Sequence, residues 1–147
     1  MYNVIKNIIV FSIPINFVWE FAQIPLYSNM SWNLNTYMFC LVASVSDAVM
    51  ILAIFFVVAF LVNDVNWIVN LKFKEILFSL IIGFILSVLV EQSALSINNR
   101  SYSNLMPTIP LFGAGISPIL QMLLLPLFVF YLSQIKLKTI INQINNS

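Results

Sequence analysis

The chain has 147 residues, of which 61% are hydrophobic and only 7% are charged, and its net charge is +1. A soluble domain carries about 25% charged residues, so this composition excludes a soluble enzyme and a disordered tail, and the small net charge excludes a nucleic-acid binder. With no histidine and a single cysteine, Cys40, the sequence also excludes an intramolecular disulfide and any ordinary zinc or haem site. We therefore expect a polytopic membrane protein that has the lipid bilayer as its partner and no metal or cofactor.

Four apolar stretches are long enough to cross a membrane, which takes about 20 residues for roughly 30 Å of hydrocarbon. They cover about residues 4–25, 37–62, 75–96 and 115–133, and polar, turn-forming residues separate them. The first stretch is not followed by a small-x-small cleavage site, so it is interpreted as a retained span. The sequence predicts one transmembrane domain over residues 1–147, an all-α bundle of four transmembrane helices.

The first span carries an acid, Glu20, roughly 8 Å below its outer end. Asn16, Glu20, Gln23 and Tyr27 are separated by 4, 3 and 4 residues, and this spacing places them on one face of a helix. A polar face on an otherwise apolar helix is expected to point into the bundle.

The other three spans each repeat this arrangement with one strongly polar residue. Asp47 lies roughly 15 Å deep in the second span, while Glu91 in the third and Gln121 in the fourth lie about as deep as Glu20. Small residues share their faces, and in lipid such residues mark the places where helices touch closely. We therefore expect the polar side chains to point inward. The small residues are Cys40, Ser44 and Ala48 on the second span, Ser79, Gly83 and Ser87 on the third, and Ser117 on the fourth.

The connection before the fourth span is apolar, yet it contains three prolines and two glycines between residues 105 and 118. These residues bar a regular helix, and unsatisfied backbone cannot face lipid, so the segment lies at the interface or folds back over the bundle. Two interpretations remain open, a lid over an acidic pocket and an ordinary interfacial hairpin.

The lysines and the single arginine are distributed unequally between the two sides of the membrane, and this bias sets the orientation. Five lysines lie on the side of the termini and the middle connection, and only Arg100 lies on the other side. Both termini are therefore predicted to be cytoplasmic. On this topology Tyr27 belongs to the outer aromatic belt and Trp67 to the inner one. The five lysines are Lys6, Lys72, Lys74, Lys136 and Lys138.

The three intramembrane acids are costly, at about 2.5–3.5 kcal/mol for each charged side chain, against a typical total stability of about 5–15 kcal/mol. Arg100 is the only cation on their side, so at least two acids must be protonated, share a proton, or meet a positive group from outside. This indicates a functional site with Glu20, Asp47 and Glu91 as catalytic candidates. The alternative is that protonated acids only clamp the helices together. The candidate substrate-binding residues are Gln23, Arg100, Tyr102 and Gln121.

A set of motifs runs along nearly the whole chain: Trp19-Glu20, Gln23-x-Pro25-Leu26-Tyr27, Cys40, Asp47, Glu91, Arg100-x-Tyr102, Met106-Pro107, Gly113-x-Gly115, Pro118 and Gln121. This set resembles a group of small four-span bacterial membrane proteins of unassigned function. The resemblance implies a bacterial plasma (inner) membrane and supplies no reaction. The group usually has Trp after the arginine, where this chain has Ser101.

Three functions remain open from the residues. The first is a membrane enzyme doing acid–base chemistry on a lipid or isoprenoid in the outer leaflet, with Glu20 and Glu91 as acid and base and Asp47 tuning them. The second is a proton- or cation-coupled carrier, which at this length would require a homo-oligomer. The third is a structural or assembly protein whose acids have no chemical role.

Overall fold

The computed structural model describes residues 1–96, 101–111 and 113–145. The described residues form four long helices, each long and apolar enough to cross a membrane. This confirms the all-α, four-helix expectation at the level of helices and indicates a multi-pass membrane protein. The helices are α1 (Tyr2–Gln23), α2 (Leu34–Val62), α3 (Phe73–Ser96) and α4 (Ile116–Asn145); two 3-10 turns span Ile24–Leu26 and Trp67–Asn70, and two short strands are β1 (Thr108–Ile109) and β2 (Ala114–Gly115).

The four helices close into a ring in chain order. Each helix contacts the next one along the chain, and α1 also contacts α4. Consecutive helices run antiparallel, so the bundle has two distinct ends. We call the end that holds residues 24–33, 101–111 and 113–115 the hairpin end. The opposite end, which holds the beginning of α1, the α2–α3 connection and the end of α4, is the termini end.

The helices extend beyond the predicted spans, most of all in α4, which continues to Asn145 rather than ending near residue 133. The predicted spans were limited by apolar content. A helix can continue beyond its apolar stretch for as long as its residues favour helix and its backbone hydrogen bonds are made. Pro118 lies within the first turn of α4. The N–H that proline lacks would have no intrahelical partner in the first turn, so Pro118 is tolerated there.

An apolar core fills the half of the bundle nearer the termini end. The 3-10 turn of the α2–α3 connection inserts Trp67 into this core, where only 2% of the side chain is exposed. Its ring stacks on Phe55 at 5.6 Å and meets Phe130 edge-on at 5.1 Å. The prediction that Trp67 belongs to a headgroup belt is therefore wrong. The other core members include Val4, Ile8, Ile51, Ile54, Val58, Leu125 and Val129.

Helices α3 and α4 approach each other closely at Gly83. A β-carbon at this position would collide with the backbone carbonyl oxygen of Met122. The small side chains that precede Glu91 on the same face, Ser79 and Ser87, are also buried, with 1% and 3% exposed. The face predicted from the spacing is therefore a packing face, and it aims Glu91 into the bundle.

The segment after α3 folds back onto the end of α1. Tyr102 pairs with Tyr27 in an antiparallel bridge, with backbone bonds from Ser28 N to Ser101 O at 2.9 Å and from Ser103 N to Leu26 O at 3.0 Å. β1 and β2 then form a small antiparallel hairpin that leads directly into α4. This arrangement satisfies the backbone of a segment that cannot form a helix.

Candidate functional site at the hairpin end

The three candidate acids line one cavity of about 30 Å³ at the hairpin end of the bundle. Glu20 comes from α1, Asp47 from α2 and Glu91 from α3, and their exposed fractions are 3%, 8% and 2%. Gln121 of α4 lines the same cavity. The convergence predicted from depth and spacing is therefore present in the structure, whereas the catalytic role of these residues stays a prediction.

Helical spacing explains why the polar side chains meet. The four residues of the α1 face, Asn16, Glu20, Gln23 and Tyr27, are all buried, with no more than 3% exposed. Residues four apart stack on one side of a helix, so a single rotation of α1 buries the whole set. Tyr27 therefore lies inside the bundle, and its assignment to an outer aromatic belt is wrong.

Gln121 is the centre of a hydrogen-bond network between three helices. Its Nε2 donates to Asp47 Oδ2 at 2.7 Å and to Asn16 Oδ1 at 3.0 Å. Its Oε1 accepts from Gln23 Nε2 at 2.9 Å. One amide of α4 thus joins α1 and α2, and it holds the Asp47 carboxyl group at a fixed place on the cavity wall.

The bonds of this network share one direction. The Tyr27 hydroxyl lies 3.4 Å from Gln23 Oε1 and donates to it, Gln23 donates to Gln121, and Gln121 donates to Asp47. A carboxylate can only accept, whereas a protonated carboxyl group can also donate. This series of hydrogen bonds therefore ends at Asp47 Oδ2, which acts as an acceptor.

Tyr102 connects the folded-back segment to Glu91. Its hydroxyl donates to Glu91 Oε1 at 2.7 Å and accepts from the Gly115 backbone N–H at 2.7 Å. Gly115 immediately precedes α4 and packs against the Met106 side chain. The position of the Glu91 carboxyl group is consequently tied, through Tyr102, to the backbone at Gly115. The lid and the interfacial hairpin both stay open as interpretations of the segment.

Among the described residues that line the cavity, three are acids and none is a lysine or an arginine. Within the part of the chain that the structure describes, no group of three His, Cys, Asp or Glu side chains is arranged to hold a metal ion. Arg100, which the sequence offered as a cation for this site, lies outside the described residues. The cavity volume of about 30 Å³ corresponds to two or three molecules of water, at roughly 10–15 Å³ each.

Two residues that contact the candidate site residues were not among the sequence candidates. Asn16 accepts from Gln121 and donates through Nδ2 to Ser12 O at 2.9 Å. Tyr27 lies 3.5 Å from Glu91 Oε1 through its hydroxyl. Both share the buried α1 face with Glu20, so their spacing indicated that they point into the bundle. A neutral amide and a tyrosine near a membrane surface have no large free-energy cost in a membrane, so nothing in the sequence marked them as functional.

Comparison with protein-family models, with curated proteins and with solved structures finds no match to this chain. The resemblance to small four-span bacterial proteins therefore stays a prediction, and the function is argued from the site alone.

Proposed function

We propose that the chain is an integral membrane enzyme that does acid–base chemistry on a lipid or isoprenoid at its acidic cavity. The observation that carries this proposal is that Glu20, Asp47 and Glu91, from three helices, line one cavity. Each charged acid in a membrane costs about 2.5–3.5 kcal/mol. Three acids that each carried this cost would be an inefficient means of holding helices together, whereas all three can take part in a site that shares a proton.

The proposed roles follow from what each side chain contacts. One of Glu20 and Glu91 gives a proton to a double bond or an oxygen of the substrate, and the other takes a proton from a neighbouring carbon, so the protein ends with the number of protons it began with. Asp47, which accepts a hydrogen bond from Gln121, sets the local charge next to Glu20 and Glu91. Tyr102 orients Glu91, and Gln23 and Gln121 are proposed to meet the polar part of the substrate.

The proposed orientation places the cavity on the outer side of a bacterial plasma membrane. All five lysines belong to the termini end or to helix segments that lead to it. Positively charged residues favour the cytoplasmic side, so the hairpin end with its acids would face outward.

A structural role is the second candidate function, and the Gln121 network favours it. This network joins α1, α2 and α4 through bonds of 2.7 to 3.0 Å, as a helix clamp would. A carrier has less support, because the apolar core that contains Ile8, Ile54 and Phe130 fills the bundle below the cavity.

The test is solvent deuterium transfer into membrane lipids. The purified protein, reconstituted in D₂O with a total lipid extract of the membranes that produce it, is expected to place deuterium on carbon in one lipid or isoprenoid species, as read by mass spectrometry. Glu91→Gln should abolish the incorporation and Asp64→Asn should not, because Asp64 is an exposed acid at the termini end. Lipids whose deuterium content is the same with and without the wild-type protein would contradict the proposal.

A further inference from the structure

A groove in the surface between α2 and α3 lies beside the acidic cavity. Its volume is about 390 Å³, which is within the range of roughly 300–1,000 Å³ typical of sites for small ligands. Val42 of α2 and Val90 of α3 line the groove and are exposed, so it is open along the outer surface of the bundle. The described part of its wall is mostly apolar, with Phe39, Ala43 and Met50 from α2 and Ala94 from α3.

A polar pocket of about 240 Å³ adjoins the groove at the hairpin end of the bundle. Asn29, Asn35 and Thr36 line this pocket, and Phe39 lines both the pocket and the groove. Carboxamide and hydroxyl groups can each donate and accept hydrogen bonds. The surface of the bundle therefore offers polar partners next to the place where the apolar groove begins.

The spacing of residues along α2 joins the polar pocket to the groove. Asn35, Phe39, Ala43 and Asp47 follow at intervals of four residues, and residues four apart form a continuous row on the surface of a helix. At a rise of about 1.5 Å per residue, this row extends over about 18 Å from Asn35 to Asp47. A long molecule that lies along the row would have one end in a polar setting and the rest in an apolar one.

The groove reaches the acidic cavity at its deeper part. Asp47, Met50 and Val90 line both the groove and the cavity, and the Asp47 carboxyl group accepts a hydrogen bond from Gln121 on the cavity side. A chain in the groove would therefore pass beside the acids at a distance from its polar end.

We infer that this surface binds a lipid whose head group carries hydroxyl groups, with the head in the polar pocket and the hydrocarbon chain in the α2–α3 groove. Both helices are apolar and long enough to span a membrane, so the groove opens where acyl chains would surround the bundle. The inference deepens the proposed function and rests on it for the chemistry at the cavity. It names the class of substrate and the part of the substrate that reacts.

The reacting carbon belongs to the chain on this placement. Asp47 lies about 12 Å farther along α2 than Phe39, where the pocket meets the groove, so the head group stays near the membrane surface while the chain reaches the acids. The polar group that meets Gln23 and Gln121 is then part of the chain and separate from the head.

A comparable groove elsewhere on the bundle provides the control. The groove between α1 and α4 has a volume of about 410 Å³, and Ala22 and Leu125 are among the apolar residues that line it. A hydrocarbon chain alone would fit both grooves. The inference distinguishes them by the polar pocket and the acidic cavity that adjoin the α2–α3 groove.

The experiment is native mass spectrometry of the full chain in detergent micelles with 1-monooleoylglycerol or methyl oleate, which share one chain and differ in the hydroxyl groups of the head. 1-Monooleoylglycerol is expected to bind one to one and more tightly than methyl oleate. Ala43→Trp, which fills the groove, should weaken its binding by at least about tenfold. Ala22→Trp, the same change in the control groove, should leave binding unchanged. Val42→Trp fills the rim of the α2–α3 groove if Ala43→Trp does not fold.

Asn35→Ala tests the place of the head group. Asn35 is exposed, and the hydrogen bond that caps α2 joins Asn33 to the Thr36 backbone N–H, so this change leaves the start of the helix intact. It should weaken the binding of 1-monooleoylglycerol and leave that of methyl oleate unchanged. An equal effect on both probes would contradict a head group in the polar pocket.

Equal binding of the two probes to the wild-type protein would overturn the inference, as would an equal loss of binding in Ala22→Trp. A dimer that Ala43→Trp disrupts, without any bound probe in the wild type, would also overturn it and assign the groove to a second copy. Probe binding needs no proton transfer, so selective binding without deuterium transfer contradicts only the proposed function. Deuterium transfer that Ala43→Trp leaves unchanged, or deuterium on a carbon of the head group, contradicts only the inference.

Discussion

Glu91 has two polar neighbours with different geometry, and together they define what a substitution there would reveal. The Tyr102 hydroxyl donates to its Oε1 at 2.7 Å, whereas the Tyr27 hydroxyl lies 3.5 Å from the same oxygen. The shorter bond is the stronger one. A glutamine at this position keeps an oxygen that can accept from Tyr102, and it loses the ability to exchange a proton.

Replacing Glu91 therefore separates the chemical role from the structural one. Glu91→Gln should leave the free energy of unfolding nearly unchanged and abolish deuterium transfer. Glu91→Ala should lower the free energy of unfolding by about 1–3 kcal/mol, because it leaves buried partners unsatisfied. Thermal unfolding in detergent and the deuterium assay measure the two effects. Full transfer in Glu91→Gln would contradict the catalytic role.

The sequence predicted the site residues whose charge is costly in a membrane. It did not predict the burial of residues that have no such cost. Glu20, Asp47 and Glu91 could be identified because a charge in lipid needs an explanation. Tyr27 and Trp67 were assigned to headgroup belts, because an aromatic residue near a span end has that preference. Their burial depends on how the connections fold back, through Tyr102 for one and a 3-10 turn for the other, and this is not encoded in local spacing.

At the scale of elements, the close contact of α3 with α4 brings Glu91 and Gln121 to the wall of one cavity. Gly83 lies two turns from Glu91 on the same helix face, and its backbone lies against the Met122 carbonyl group. Gln121 is the neighbour of Met122 in α4. A change that pushes these helices apart would widen the cavity that both helices line.

Gly83→Ala tests this contact. The added methyl group collides with a backbone oxygen that cannot move alone, so we expect a loss of about 1–3 kcal/mol in the free energy of unfolding. Ser93→Ala, on an exposed position of the same helix, is the control and should change stability little. Thermal unfolding of both variants in one detergent compares them. Equal melting temperatures for wild type and Gly83→Ala would contradict the close packing.

The number and approximate place of the helices could be predicted, whereas the hairpin segment could not. Apolar length identified all four helices. The prolines and glycines of residues 105–118 indicated that part of this stretch is not helical, but they did not indicate that β1 pairs with β2 or that Met106 is buried. The bridge between Tyr102 and Tyr27 also joins residues that are far apart in the sequence.

At the scale of the whole molecule, polarity is divided between the two halves of the bundle. The half near the hairpin end holds Glu20, Asp47 and Glu91, whereas the apolar core fills the other half. The lysines belong to the apolar half and its termini. A one-sided acidic site and a positively charged opposite end predict one orientation in the membrane.

Reporter fusions test this orientation. A reporter fused after Ser147 should be cytoplasmic, and one inserted within residues 28–36 should be external, since the end of α4 and residues 28–36 lie at opposite ends of the bundle. Compartment-specific enzymes such as an external phosphatase provide the measurement. The reverse pattern would place the acids on the cytoplasmic side and contradict the positive-inside argument.

The most direct test of the central claim, that the three acids form one coupled site, is infrared titration of their carboxyl groups in vesicles. Acids that line one small cavity interact, so removal of one carboxyl group should change the pH dependence of the infrared bands of the other two. Glu20→Gln, Asp47→Asn and Glu91→Gln should each produce such a change, and Asp64→Asn should not. Three cavity variants that leave the titration of the remaining acids unchanged would contradict the account.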